Sequence, residues 1–228
     1  MIKELAVMAA LVVPQEWSYD YFDLDNGLVL NHSNVTIKAP YRALNSSSVP
    51  ISIESFDPNI VSYNLVIDEN PTPCCAKFFF YDIPARIITN IRVNAYTDLS
   101  VNAKDRKGKN YIATTYVKGS GGCSAPSSWI ATKPKGYINI NRAIDLTKVT
   151  IYHPNHTGLQ YNSISGTEVP AEYIERVEVF VNEKKVFYYE GTIGIAENAY
   201  FSLPVETFGK SVKVNAYDNL GKVYTLDE

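Results

Sequence analysis

"VNAKDRKGKNY" (Val101–Tyr111) and "VNAYDNLGKVY" (Val214–Tyr224) lie about 113 residues apart and share Val, Asn, Ala, Asp, Gly, Lys and Tyr at the same offsets. Each reads as strand, tight turn, strand. Asp105 or Asp218 opens the turn, where a short carboxylate can bond backbone two residues on, and Gly108 or Gly221 takes the φ > 0 position. The likeness extends upstream: "IVSYNLVIDEN" (Ile60–Asn70) aligns with "IERVEVFVNEK" (Ile174–Lys184), setting Tyr63, Leu65 and Ile67 against Val177, Val179 and Val181. That period of two predicts a half-buried strand in each copy. "VP" recurs further up, at Val49–Pro50 and Val169–Pro170. The separation is too long for a solenoid and predicts two copies of one domain.

Short alternating runs recur along the chain, among them "VPISIES", "KFFFY", "KVTIYHP", "RVEVFVN", "KVFYYEG" and "YFSLPV". Gly, Pro, Asn and Asp punctuate them, and no stretch carries the period of an amphipathic helix. The expected fold is all-β: two immunoglobulin-like antiparallel β-sandwiches in tandem. Residues 21–118 form the first and 137–228 the second, joined by a flexible linker over 119–136 that ends in the breakers Lys133–Gly136. Residues 1–20 are read as an N-terminal extension. Within it Leu5–Val13 has the length of a signal-peptide apolar segment and is too short to span a bilayer. Lys3 is offset by Glu4 and no A-x-A-like site follows, so a degenerate export signal and a buried first element both remain open.

Apolar content of 46% and charged content of 20% exclude global disorder. A formal net charge of -3 argues against a nucleic-acid partner, and no later segment is apolar enough to span a membrane. Three cysteines are too few for a disulfide scaffold, and the odd number leaves at least one thiol without an intramolecular partner. Cys74 and Cys75 are neighbours that read as part of a strand. Cys123 differs: in "VKGSGGCSAPSSW" (Val117–Trp129) it follows the only Gly-Gly pair of the chain. Gly119, Ser120, Gly121, Gly122, Ser124 and Ala125 remove side-chain bulk around it, and Pro126 stiffens the far side, as an exposed, movable arm for a reactive thiol would require. No basic residue lies within four positions, Lys118 being five away, so an unactivated, slow nucleophile is expected.

His153 and His156 in "HPNHTG" are three apart, with His32 the only other histidine. A zinc site needs three or four ligands, so the pair reads as a structural loop with a partner-docking role open, and no metal is expected. A hydrolytic pair of Cys123 with either histidine is disfavoured, because a nucleophile on a doubly tethered glycine arm is poorly preorganised. A clamp pairing Cys123 with Cys74 or Cys75 is the remaining redox reading.

Several stretches together are specific. In the first half they are "APYRALNSSSVPISI", "VIDENPTPCCAKFFF" and "TNIRVNAYTDLSVNAKDRKGKNYIATTYVKGSGGCSAP". In the second they are "VTIYHPNHTGLQYNSISGTEVPAEYIERVEVFVNEKKVFYYEGTIGIAENAYFSL" and "VNAYDNLGKVY". On these the chain resembles the fused SoxYZ-like sulfur-carrier proteins, including those associated with quinoprotein dehydrogenases. The resemblance implies a periplasmic, non-catalytic carrier without a cofactor. Sulfur intermediates would be held covalently on Cys123 and presented on the Gly121–Gly122 hinge to periplasmic sulfur-oxidising enzymes. It leaves as alternative an exported adaptor for a quinoprotein dehydrogenase or cytochrome, with Cys123 in redox pairing. One departure matters: separate SoxY chains end at the cysteine, whereas here "SAPSSW" continues into a second domain. An arm of about five residues tied at both ends reaches no further than roughly 15 Å from its base.

Overall fold

The computed structural model describes residues 28, 29, 34–129 and 131–228. The N-terminal extension and its apolar run lie outside them. Among the described residues there is no helix, and seventeen strands follow one another. The first half holds β1 (Leu28–Val29), β2 (Val35–Lys38), β3 (Val49–Ser55), β4 (Ile60–Ile67), β5 (Cys74–Phe80), β6 (Arg86–Ile91), β7 (Thr97–Asp105) and β8 (Asn110–Val117). The second holds β9 (Tyr137–Ala143), β10 (Leu146–Tyr152), β11 (Tyr161–Asn162), β12 (Thr167–Glu168), β13 (Ile174–Val181), β14 (Lys184–Gly191), β15 (Tyr200–Leu203), β16 (Val212–Asp218) and β17 (Val223–Asp227).

The repeat is visible in the strand order. One sheet runs β1-β8-β7-β4-β5-β14-β13-β16-β17 and the other β2-β3-β6-β15-β10-β9. Apart from β1, which pairs parallel with β8, the first order reads outward from its centre as the same four roles in both directions. The aligned strands β4 and β13 are the inner strands of each half, and the aligned hairpins β7–β8 and β16–β17 sit outside them. The two sandwich halves are therefore joined about an approximate twofold axis, by β5 on β14 in one sheet and β6 on β15 in the other. Both sheets run through the junction without an edge, which disposes of four strand edges, those of β5, β14, β6 and β15, that would otherwise invite foreign pairing.

The turns follow the expected chemistry. Asp105 Oδ1 accepts the amides of Lys107 (2.8 Å) and Lys109 (2.9 Å), and Asp218 Oδ1 those of Leu220 (3.0 Å) and Lys222 (2.8 Å). Gly108 and Gly221 sit at φ of 82° and 84°, where a side chain is strained. Tyr63, Leu65 and Ile67 are buried, as are Val177, Val179 and Val181.

Large aromatic side chains fill the core at the seam. Phe78 of β5 faces Tyr189 of β14, and Phe80 faces Phe187. Phe201 of β15 closes the box from the other sheet, its ring centroid 4.8 Å from Tyr189 and 5.5 Å from Phe187. All four aromatic residues of the box proper (Phe78, Phe187, Tyr189 and Phe201) are fully buried, and each such side chain contributes about 1.5–3 kcal/mol of burial. "KFFF" is thus a strand covered on its core face by the junction, with Phe79 on the opposite face beside Tyr188.

Candidate functional site

The chain leaves β8 at Val117 and crosses from the first half to the second. Residues 119–129 do not swing free there; backbone and side chains of both halves hold them. On the first-half side, the amides of Gly121 and Gly122 donate to the carbonyls of Asn94 (2.7 Å) and Val93 (3.0 Å), and the amide of Ser120 to Ser46 Oγ (2.9 Å). A single helical turn, Ala125 N–H to Gly121 C=O at 2.8 Å, wraps the cysteine. On the second-half side Thr157 Oγ1 donates to the carbonyl of Cys123 (2.6 Å) and Gln160 Nε2 to that of Ala125 (3.0 Å). Further on, Glu197 accepts from Ser127 Oγ (2.7 Å) and from the amide (3.1 Å) and hydroxyl (2.9 Å) of Ser128, and Trp129 Nε1 donates to Asn198 (3.1 Å).

Cys123 is consequently 0% exposed. This corrects the expectation of an exposed arm: Gly119 and Gly122 are buried with it, and only Ser120 and Ser124 face solvent fully, Gly121 and Ala125 partly. The physical reason lies in Gly122. A Cβ there would stand 2.0 Å from the carbonyl oxygen of Ser46 and 2.5 Å from that of Val93, so glycine is required by close backbone approach rather than by mobility. All three cysteines are free thiols, which leaves the clamp to Cys74 or Cys75 unformed. Burial pushes the Cys123 thiol up to about 11, with the nearby Arg92 charge pulling the other way. At neutral pH it is protonated and shielded, hence doubly unreactive. Burial also raises Cys75, with Cys74 and Cys123 adding to the effect.

Arg92, directly after β6, is the largest fully buried side chain among the described residues. Its Nη1 donates to the carbonyl of Gly122 (3.1 Å) and its Nη2 to that of Asn155 (3.2 Å), so one guanidinium ties the cysteine turn to the second half. Asn155 in turn is fixed by its neighbours. Its Nδ2 donates to Ala196 O (2.6 Å), its Oδ1 accepts Ile174 N (2.9 Å), and its amide reaches His153 Nδ1 (3.1 Å).

The two histidines separate. His153 is fully buried, which removes it from any docking surface; burial lowers its pKa to about 4, so it is neutral and braces Asn155. His156 is half-buried, and its Nδ1 contacts Gln160 Oε1 (3.1 Å), orienting the amide that holds Ala125. "HPNHTG" is thus the bracket under the cysteine turn. His153, Glu172 and Asp218 each place one ligand atom within 4.8 Å of the others. Those carboxylates already have partners: Glu172 is bridged by Lys135, and Asp218 takes its turn amides and the Tyr224 hydroxyl (3.0 Å). Asp105 takes the equivalent set in the first half, with Tyr111 at 3.4 Å, so turn architecture accounts for Asp218.

The family models fall on this geometry in two pieces. That of the sulfur oxidation protein SoxY matches residues 24–123, ending on Cys123, and that of the sulphur oxidation protein SoxZ matches 141–227. The chain belongs to the fused SoxYZ-like sulfur-carrier family. Among solved structures, the sulfur carrier protein SoxY from Chlorobium limicola f thiosulfatophilum aligns at 24% identity over 40% of this chain and 82% of its own, with a TM-score of 0.36. A glycosyl hydrolase family 2 member from Bacteroides cellulosilyticus aligns at 12% identity over 85% of this chain and 28% of its own, with a TM-score of 0.25. Neither superposition is close enough to bear on function. No curated protein matches the chain in sequence. In this SoxYZ-like chain the junction of the two matched pieces coincides with the buried turn. Sequence reasoning picked out its cysteine and glycines but missed Arg92, Thr157, Gln160 and Glu197, which carry no local pattern that sets them apart from neighbouring polar residues.

Proposed function

We propose that the protein is a non-catalytic carrier that holds sulfur intermediates covalently on Cys123 and delivers them to periplasmic sulfur-oxidising enzymes. The observation that carries this reading is the coincidence of three things at one residue: the end of the SoxY match, the only Gly-Gly pair, and the seam between the halves. Burial of the thiol makes the described conformation the retracted one. Loading and delivery then require the 119–128 segment to lift, breaking hydrogen bonds from Thr157 and Gln160 while both of its ends stay tied. A raised thiol pKa suits this division, since the empty carrier is inert until a partner opens and activates it.

Mass spectrometry of protein purified without reductant tests the reading. Sulfur-containing additions on the Cys123 peptide are expected. An unmodified thiol before and after incubation with tetrathionate would sink it. The alternative reading is an exported adaptor for a quinoprotein dehydrogenase or cytochrome with Cys123 in redox pairing. A Cys75–Cys123 crosslink in the same spectra would select it.

A further inference from the structure

A buried arginine ordinarily finds a carboxylate in bidentate geometry, because the cost of desolvating the charge is otherwise uncompensated. Arg92 has only a loose ion pair through one nitrogen. It is 0% exposed, and two of its five N–H groups are known to go to carbonyls, at Gly122 and Asn155. Its Nε has no hydrogen-bond partner among the described residues. The nearest carboxylate, Glu197, stands 3.7 Å from Nη2 and is occupied by Ser127 and Ser128. Arg92 and Glu197 balance in charge there, but the guanidinium is the fully buried member of the pair, and it lies beneath the turn that carries Cys123.

We infer that Arg92 is the anion-receiving residue of the carrier: when the 119–128 segment lifts, its guanidinium meets the negatively charged end of a sulfur-oxoacid group attached to Cys123. The inference rests on the carrier reading and sharpens it, since Arg92 would select adducts by charge. In the closed state the guanidinium holds the turn through the Gly122 carbonyl. In the open state the Nη1–H is freed to donate to a sulfonate oxygen, and the Nε–H stands without a partner on the other edge of the guanidinium. Arg92 touches neither thiol nor cargo in the closed state, so it is a positioning and specificity residue rather than a catalytic one.

Three methanethiosulfonate reagents of similar size test this, bearing sulfonatoethyl (anionic), hydroxyethyl (neutral) and trimethylammonioethyl (cationic) groups. Each transfers its thioalkyl group to the Cys123 thiolate with methanesulfinate leaving and the thiol proton going to solvent, and the Cys123 peptide is followed by mass spectrometry. The expected result is an anionic-to-cationic rate ratio above that of a small neutral thiol. The ratio should fall about tenfold in Arg92→Gln, as loss of one charge within several ångströms predicts, and be largely retained in Arg92→Lys. If all three rates rise together in Arg92→Gln with the ratio unchanged, Arg92 is only a clasp and the inference fails. Should Arg92→Gln not fold, Glu197→Gln serves instead: it must raise the ratio, and an unchanged ratio overturns the inference. Native sulfur adducts on Cys123 with a charge-blind ratio would defeat this inference and leave the carrier reading standing. Absence of any adduct would defeat the carrier reading itself.

Discussion

The two halves are built from one plan and differ where the plan has been put to use. Asp105 with Tyr111 and Asp218 with Tyr224 close the same turn with the same bonds. Strand β6 and strand β15 occupy equivalent places either side of the axis. After β6 comes buried Arg92; after β15 comes Pro204, which offers no charge and no amide hydrogen. The first half supplies the thiol, its cation and its glycines, while the second supplies the bracket of His153, Asn155, Thr157 and Gln160. Duplicated architecture thus provides the scaffold twice, and the chemistry occupies one junction to which the halves contribute unequally.

The largest effect should come from the place where the halves cease to be separable. Phe187→Ala, in the aromatic box, is expected to cost about 3–5 kcal/mol in urea unfolding and to destabilise both halves in one transition. Two transitions would mean that the halves fold independently. Next come the repeated turns. Asp218→Ala should cost roughly 3 kcal/mol and Asp105→Ala about 1 kcal/mol less, because Asp218 is the more deeply buried and has the shorter tyrosine bond. Equal costs would show that the repeat is symmetric in energy as well as in order.

Titration should distinguish the halves by sign. Cys123 has its folded pKa raised to about 11 against an ordinary value near 9, so the unfolded chain loses this proton first. Stability is full below about pH 9 and falls as pH rises toward 11, by on the order of 1–2 kcal/mol. His153 is the opposite case. Its folded value of about 4 lies below the ordinary 6.5, so stability is full above pH 6.5 and is lost as pH falls toward 4. Denaturation curves of Cys123→Ser and His153→Gln should flatten the alkaline and the acid limb respectively, and each variant should leave the other limb in place. The smallest effect is kinetic. Thr157→Val with Gln160→Ala removes two bonds from the cysteine turn and should speed alkylation of Cys123 about tenfold, a change of roughly 1.4 kcal/mol in the opening equilibrium. No acceleration would mean that the first-half contacts alone keep the turn closed.

Much of this fold could be read from residue order, because the decisive signals are local. Period two in "YNLVI" and "VEVFV" set the buried face, and Asp with Gly at fixed offsets set the hairpins. The continuous seam was hidden, since pairing Phe78 with Tyr189 depends on contacts between distant segments that leave no short-range pattern. The cysteine was found by its neighbours, and its burial was missed for the same reason. Glycines beside a thiol fit both an open arm and a close backbone crossing, and only the position of Ser46 decides between them at Gly122. Arg92 sits in "NIRVNAY" as the one charge among mixed polar and apolar residues, a pattern that an exposed arginine would produce equally well.

The merged sheets carry a consequence for how such a protein behaves when scarce. Two separate polypeptides meeting across β5 and β14 would part on dilution, each exposing a row of unpaired amides and an aromatic face. Here the partners share one backbone, so their local concentration is fixed by covalent connection and their association is indifferent to copy number. A handful of molecules in a cell compartment would be as fully assembled as a concentrated stock.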